Sequence, residues 1–177
     1  MRNAGLTLAA AALLLGGLEA HAQAPSAGPF DPKTGRFAKV LSGDAAREAD
    51  TLSVSTDRAW RALAQVYGQL GIALSVVDTE SHVLGVVRGV QRRPVGGMRL
   101  SQMLECGVGT YGANADHYTV LLTALTAIAP AGPDRSIINT RVGGVASPNG
   151  VNSSVSCNSS GALEEKIISL LREAAGK

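Results

Sequence analysis

Apolar positions change their spacing several times along this chain, and each change marks an element. The first run, Ala4 to Leu18, is almost entirely Ala, Leu and Gly. It follows a positively charged Met1-Arg2-Asn3 start and precedes Ala20-His21-Ala22, the small-x-small pattern that signal peptidase reads. That layout predicts a secretory signal peptide over residues 1–22, cleaved before Gln23. An uncharged run of about 15 residues is shorter than the roughly 20 that a membrane-spanning helix needs. The mature chain is therefore expected not to be transmembrane, and to be periplasmic or extracellular. Residues 23–49 lose all periodicity and carry turn chemistry in Asp31-Pro32-Lys33-Thr34-Gly35. They predict a flexible tail, with Phe30 and Phe37 as docking points.

From residue 50 the patterning becomes regular. Thr51 to Ser55 alternates and predicts a short strand. Ser55 or Thr56 then starts a helix, in which Trp60, Leu63, Tyr67 and Leu70 share one face. Gly71 ends it. Ile72–Asp78 and His82–Val90 read as strands about a turn at Thr79-Glu80-Ser81. The glycines at 85 and 89 weaken the second. Leu100–Glu105 fits either a short helix or an irregular strand. Tyr118–Ala129 and Ser136–Ala146 alternate over long stretches around Pro130-Ala131-Gly132-Pro133-Asp134, which predicts an antiparallel hairpin. Ser147–Ser160 is polar and reads as a loop. Leu163, Ile167, Leu170, Leu171 and Ala174 form a final helical stripe behind an N-cap at Ser160. The resulting expectation is one two-layer α+β domain over residues 50–177. It has an antiparallel sheet of about five strands, and an N-terminal and a long C-terminal helix cover one face.

Composition narrows the function classes. The whole chain carries a formal charge of +2, and removing Arg2 and Glu19 with the leader leaves it unchanged. Such mild basicity argues against a nucleic-acid partner. Cys106 and Cys157 are the only cysteines. In an exported chain they predict a disulfide. It would close a loop of about 52 residues, worth on the order of 4 kcal/mol by the chain-entropy model. A zinc site needs about four ligands, and the mature chain adds only His82 and His117. Neither a metal nor a cofactor is expected.

Several motifs remain to be weighed. Gly107-Val108-Gly109-Thr110-Tyr111-Gly112 matches G-x-G-x-x-G, but lacks the apolar strand before it and the helix after it that a dinucleotide site uses. It reads as a loop tethered at Cys106. Asp116-His117 with a nearby serine is the one hint of a hydrolase. Adjacent residues on a strand point to opposite faces, which does not suit an acid orienting an imidazole. Arg88, Arg92, Arg93 and Arg99 form a local basic cluster. It suits an anionic surface or an acidic partner, and solvated strand ends would equally account for it. Trp60 with Tyr67 suggests either a cavity wall or ordinary core. Asn152 and Asn158 open sequons, which marks their segment as exposed.

The segment Ser55-Thr56-Asp57-Arg58-Ala59-Trp60, continued by Leu70-Gly71-Ile72 and Val76-Val77-Asp78 with a strand closing near Gly85, resembles the helix-grip domains of BamC-type envelope proteins. Residues 100–107, 115–118 and 160–167 resemble stretches of uncharacterised exported bacterial proteins. The resemblance covers packing and capping positions over about 35 residues. It implies a non-enzymatic accessory or protein-interaction module of the cell envelope, partnered by another envelope protein. Helix-grip folds that carry lipids or other small apolar ligands imply the alternative. The chain departs from BamC in lacking a lipidation cysteine and in having a single such domain.

Overall fold

The computed structural model describes residues 49–148 and 153–176. The leader, the tail up to Glu48 with Phe30 and Phe37, and the sequon residue Asn152 lie outside the described residues. Two long strands form the spine, β7 (Thr119–Gly132) and β8 (Arg135–Ser147). They pair antiparallel along nearly their whole length, from Thr119 opposite Ser147 to Gly132 opposite Arg135. The alternation read in the sequence fixes their faces: Val120, Leu122, Ala124 and Ile128 are all buried. The strands run further than the pattern predicts, so the turn is only Pro133-Asp134.

Outward from β7 come β3 (Val83–Gln91) and the edge strand β2 (Val76–Asp78). On the other side, β8 holds two strands end to end along one edge. β1 (Asp50–Leu52) lies opposite Ser136–Ile138, and β9 (Val155–Ser159) lies opposite Gly143–Ala146. The two-residue β4 (Leu104–Glu105) then pairs with β9. The fold class is α+β, with an antiparallel sheet of seven strands where the sequence pattern gives about five. The additional strands are β4 and β9. β4 is too short to show a period, and β9 reads Val-Ser-Cys-Asn-Ser, too polar to register as a strand. Backbone pairing to Gly143–Ala146, rather than a buried stripe, makes β9 a strand.

Helix α1 (Thr56–Gln69) starts at Ser55 and packs against β7, β3 and β8. Its C-terminus is a complete Schellman motif. Gly71 N–H reaches Gly68 O, Ile72 N–H reaches Tyr67 O, and Gly71 takes φ 70°. Leu100–Glu105, which admits both readings, is both: helix α2 (Leu100–Met103) runs directly into β4. The glycine-rich loop is a small hairpin of β5 (Val108–Gly109) and β6 (Gly112–Ala113). A one-turn helix α3 (Asn114–His117) follows it. The last helix, α4 (Ala162–Ala175), packs on α1 and β8. Its N-cap is Gly161 in a left-handed conformation, not Ser160. The Ser160 hydroxyl instead donates to Gln102 O at 2.6 Å and so ties α4 to α2.

The layer between helices and sheet is filled by Leu63, Val66, Tyr67, Leu122, Leu163, Ile167 and Leu171, all fully buried. A line of hydroxyls crosses it. Tyr67 Oη lies 3.3 Å from Ala124 O and 3.0 Å from Thr126 Oγ1, and Thr126 Oγ1 lies 2.9 Å from Thr140 Oγ1. Buried polar groups need such partners, because an unpaired one forfeits its hydration without return. Burial, partly countered by the bond to Thr126, pushes the Tyr67 phenol well above its ordinary range.

Candidate functional site

From Ser81 to Leu104 the chain has four arginines and no acidic residue. Folding converts three of them into one site. Beyond β3, Val95 and Met98 exchange backbone hydrogen bonds of 2.9 and 3.0 Å around Gly96-Gly97. Both glycines have positive φ (56° and 81°), the conformation that a two-residue primed turn demands and that side-chain-bearing residues resist. This turn is docked on the end of α1, where Gly96 N–H donates to Leu70 O at 3.0 Å. Reversing the chain there brings Arg99 back beside Arg92 and Arg93. With Pro94, Leu100 and Asp116 they line a groove of about 220 Å³.

Each member is held differently. Arg92 Nε donates to Thr119 Oγ1 at 3.0 Å, which fixes the guanidinium at the start of β7. Arg93 and Arg99 are exposed. Gln102 Oε1 accepts the Arg99 backbone N–H at 2.7 Å and so holds that residue at the head of α2. Asp116 is bound to α2 by both the backbone N–H of Ser101 (2.9 Å) and its hydroxyl (2.6 Å). Desolvation works against the Asp116 carboxylate, but the two Ser101 bonds, with Arg99 and His117 nearby, outweigh it and hold its pKa below the ordinary 3.8. The one acid of the groove therefore has both oxygens hydrogen-bonded to Ser101, while Arg93 and Arg99 are exposed to solvent. A groove lined by three arginines and one hydrogen-bonded carboxylate favours an anion that accepts several N–H donors at once.

Arg88, the fourth member of the basic cluster, does not line this groove. It stands at a bulge where Val87 and Arg88 oppose Thr123 alone, with φ 53° and its backbone N–H on Thr123 Oγ1 at 3.2 Å. The bulge turns it away from the strand register that the sequence pattern assigns.

Beside the groove stands the β5–β6 hairpin. Its root is fixed by Asn114, whose N–H and Nδ2 donate to Gly107 O (3.0 Å) and Cys106 O (3.1 Å). The Cys106–Cys157 bridge forms immediately below, with both cysteines buried. On the hairpin, Val108 is 81% and Tyr111 85% exposed, the most exposed large apolar side chains among the described residues. Sequence reading takes this segment as a loop tethered at Cys106 in preference to a phosphate loop, and assigns no role to its side chains. The signal it missed is a tyrosine set at a glycine-rich reversal, where no core can receive it.

Asp116 and His117 lie on α3, not on a strand. Ser101 donates its hydroxyl to Asp116 rather than to an imidazole, which reverses the order of a serine–histidine–acid relay. Tyr67 is fully buried, and Trp60 is half-buried with its ring edge-on to His82 at 5.4 Å. Neither touches the arginine groove, and both belong to the packing of α1. Asn158 is exposed on β9. Among the described residues no helix is long and apolar enough to cross a membrane, and no group of three or more His, Cys, Asp or Glu is placed to hold a metal ion. No protein-family model, curated protein or solved structure matches the chain.

Proposed function

We propose that this chain is a non-enzymatic, exported envelope protein that acts as an interaction module, and that Arg92, Arg93 and Arg99 are its contact to an anionic surface. The observation that carries this reading is the groove itself. Three arginines line it against a single carboxylate, which stays charged but has both oxygens hydrogen-bonded by Ser101, so cations outnumber the acid three to one. The disulfide agrees with an oxidising compartment, as the signal-peptide pattern of residues 1–22 requires. The BamC-type resemblance of residues 55–85 adds a precedent for a helix-on-sheet module without catalytic residues. The partner is an acidic envelope protein or a headgroup layer. Both present what the groove selects, closely spaced oxyanions.

The test is sedimentation of the mature protein with vesicles containing phosphatidylglycerol, and retention on an acidic polypeptide column. Wild type is expected to bind one of the two, and the Arg92→Gln, Arg93→Gln, Arg99→Gln triple variant to bind neither. Equal behaviour of the two proteins on both supports would remove the groove from the account.

A further inference from the structure

The β5–β6 hairpin gives its two large apolar side chains to water. Val108 pairs with Ala113 and Gly109 with Gly112, so these four residues divide between two faces. The glycines take the inner face. A Cβ at Gly109 would lie 2.6 Å from Asn114 Oδ1, and one at Gly112 would lie 3.6 Å from His117 Nε2. Val108 is thereby turned outward, Tyr111 stands at the reversal, and both side chains are exposed. From Cys106 to Ala115 the chain carries no charge. The root of the hairpin is closed by the Cys106–Cys157 bridge and by Asn114 Nδ2 on Cys106 O. A tip held in this way loses little conformational entropy when it docks.

The surroundings select what the tip meets. β6 runs directly into α3, whose Asp116 lines the arginine groove. Asp116 is five positions after Tyr111, so their Cα atoms lie within about 18 Å of each other. An uncharged apolar tip close to several guanidiniums complements a layer of anionic phosphates over acyl chains. A protein partner would need roughly 800 Å² of matched surface on each side. A two-residue turn with one valine beside it offers far less, and a bilayer requires no matching shape. Tyrosine suits the bilayer boundary, because its ring leaves water while its hydroxyl stays wet. The unpaired backbone groups of the turn keep it at that depth, since hydrocarbon does not accept them.

We propose that the β5–β6 hairpin is an interfacial membrane anchor, whose Tyr111 and Val108 enter the headgroup boundary of an anionic bilayer while Arg93 and Arg99 meet its phosphates. The inference rests on the groove reading above and narrows its partner to the headgroup layer. Two side chains hold a protein on a bilayer only together with charge, as a single acyl chain does. The hairpin and the arginines are therefore both required.

Co-sedimentation with mixed phosphatidylcholine and phosphatidylglycerol vesicles tests the anchor, with the acidic polypeptide column run in parallel. The Val108→Ser, Tyr111→Ser double variant should lose vesicle binding by at least about tenfold. It should keep the wild-type melting temperature, because both side chains are exposed, and the wild-type retention on the column. Tyr111→Trp adds a second indole to Trp60, the single tryptophan of the chain. The added emission should move to shorter wavelength on vesicles and be quenched by bromine on the acyl chains. Equal vesicle binding by wild type and the double variant, or Tyr111→Trp emission that vesicles leave unmoved, would overturn the anchor while the groove stands on its column retention. Loss of column retention in the double variant would also overturn it, because the hairpin would then be a contact to polypeptide. Wild type that binds the column and not the vesicles overturns the anchor alone, and wild type that binds neither overturns the groove as well.

Discussion

Cys106 and Cys157 form the rung next to the last backbone pair of β4 and β9. Leu104 faces Ser159, Glu105 faces Asn158, and the two sulfurs join one step further on, 51 residues apart in sequence with their Cα atoms 4.2 Å from each other. A strand of two residues has few hydrogen bonds of its own to hold it at a sheet edge. The bridge supplies what the backbone cannot, and it also anchors the hairpin that carries Val108 and Tyr111.

Reduction is therefore expected to lower global stability by about 4 kcal/mol, from the loop-closure entropy that the bridge removes from the unfolded chain. Urea unfolding with and without reductant measures this. Intact mass under non-reducing conditions should show the chain lighter by two hydrogens than after reduction. Free thiols in the purified protein would contradict the pairing.

Gly85 sits where only glycine fits. Its φ is 157°, and a Cβ there would lie 2.0 Å from the carbonyl oxygen of Ala124 on the neighbouring strand. Gly85→Ala must push β3 off β7 or distort both, and should destabilise by at least about 3 kcal/mol. A thermal melt within a degree or two of wild type would show that the β3–β7 register is not as described.

Tyr67→Phe removes the hydroxyl that joins Ala124 O to Thr126, and leaves Thr126 with one hydrogen-bond partner fewer in the core. The expected loss is about 1–3 kcal/mol. Adding Thr126→Val removes the stranded partner, so the double variant should recover part of that loss. Additive losses in a double-mutant cycle would mean that the two hydroxyls do not interact.

The Asp116 carboxyl should titrate below its ordinary 3.8. A folded-state pKa lower than that of the unfolded chain means that the Ser101–Asp116 contact adds stability above about pH 4 and loses it as pH falls through the folded value. Carbon-13 titration of the side-chain carboxyls measures the shift. Ser101→Ala removes the hydroxyl donor and keeps the backbone N–H, so it should bring the value only part of the way back toward 3.8.

Much of the scaffold was legible because burial imposes a period. The alternation of Val120, Leu122 and Ala124 and the helical spacing of Leu63 and Tyr67 are consequences of one-sided covering, so the strands and helices they mark fall where the pattern places them. β9 was not legible, because its order comes from backbone pairing and a covalent bond, which leave no apolar period. The helix start at Gly161 escaped for a related reason. Ser160 has the right chemistry for a cap, but its hydroxyl is drawn to Gln102 O, a contact 58 residues away in sequence. The basic cluster was visible as residues, but not as a site. Which arginines converge depends on the Gly96-Gly97 reversal, and Arg88 is set apart by a bulge that no local pattern announces.

The central claim, that this protein works by placing guanidiniums against an anionic surface, is tested most directly by the ionic-strength dependence of wild-type association. Exposed charge contacts are screened over about 10 Å at 0.1 M salt and about 3 Å at 1 M. Binding to phosphatidylglycerol vesicles or to the acidic polypeptide should therefore weaken steadily and disappear across that range. Association that is indifferent to salt would contradict the account.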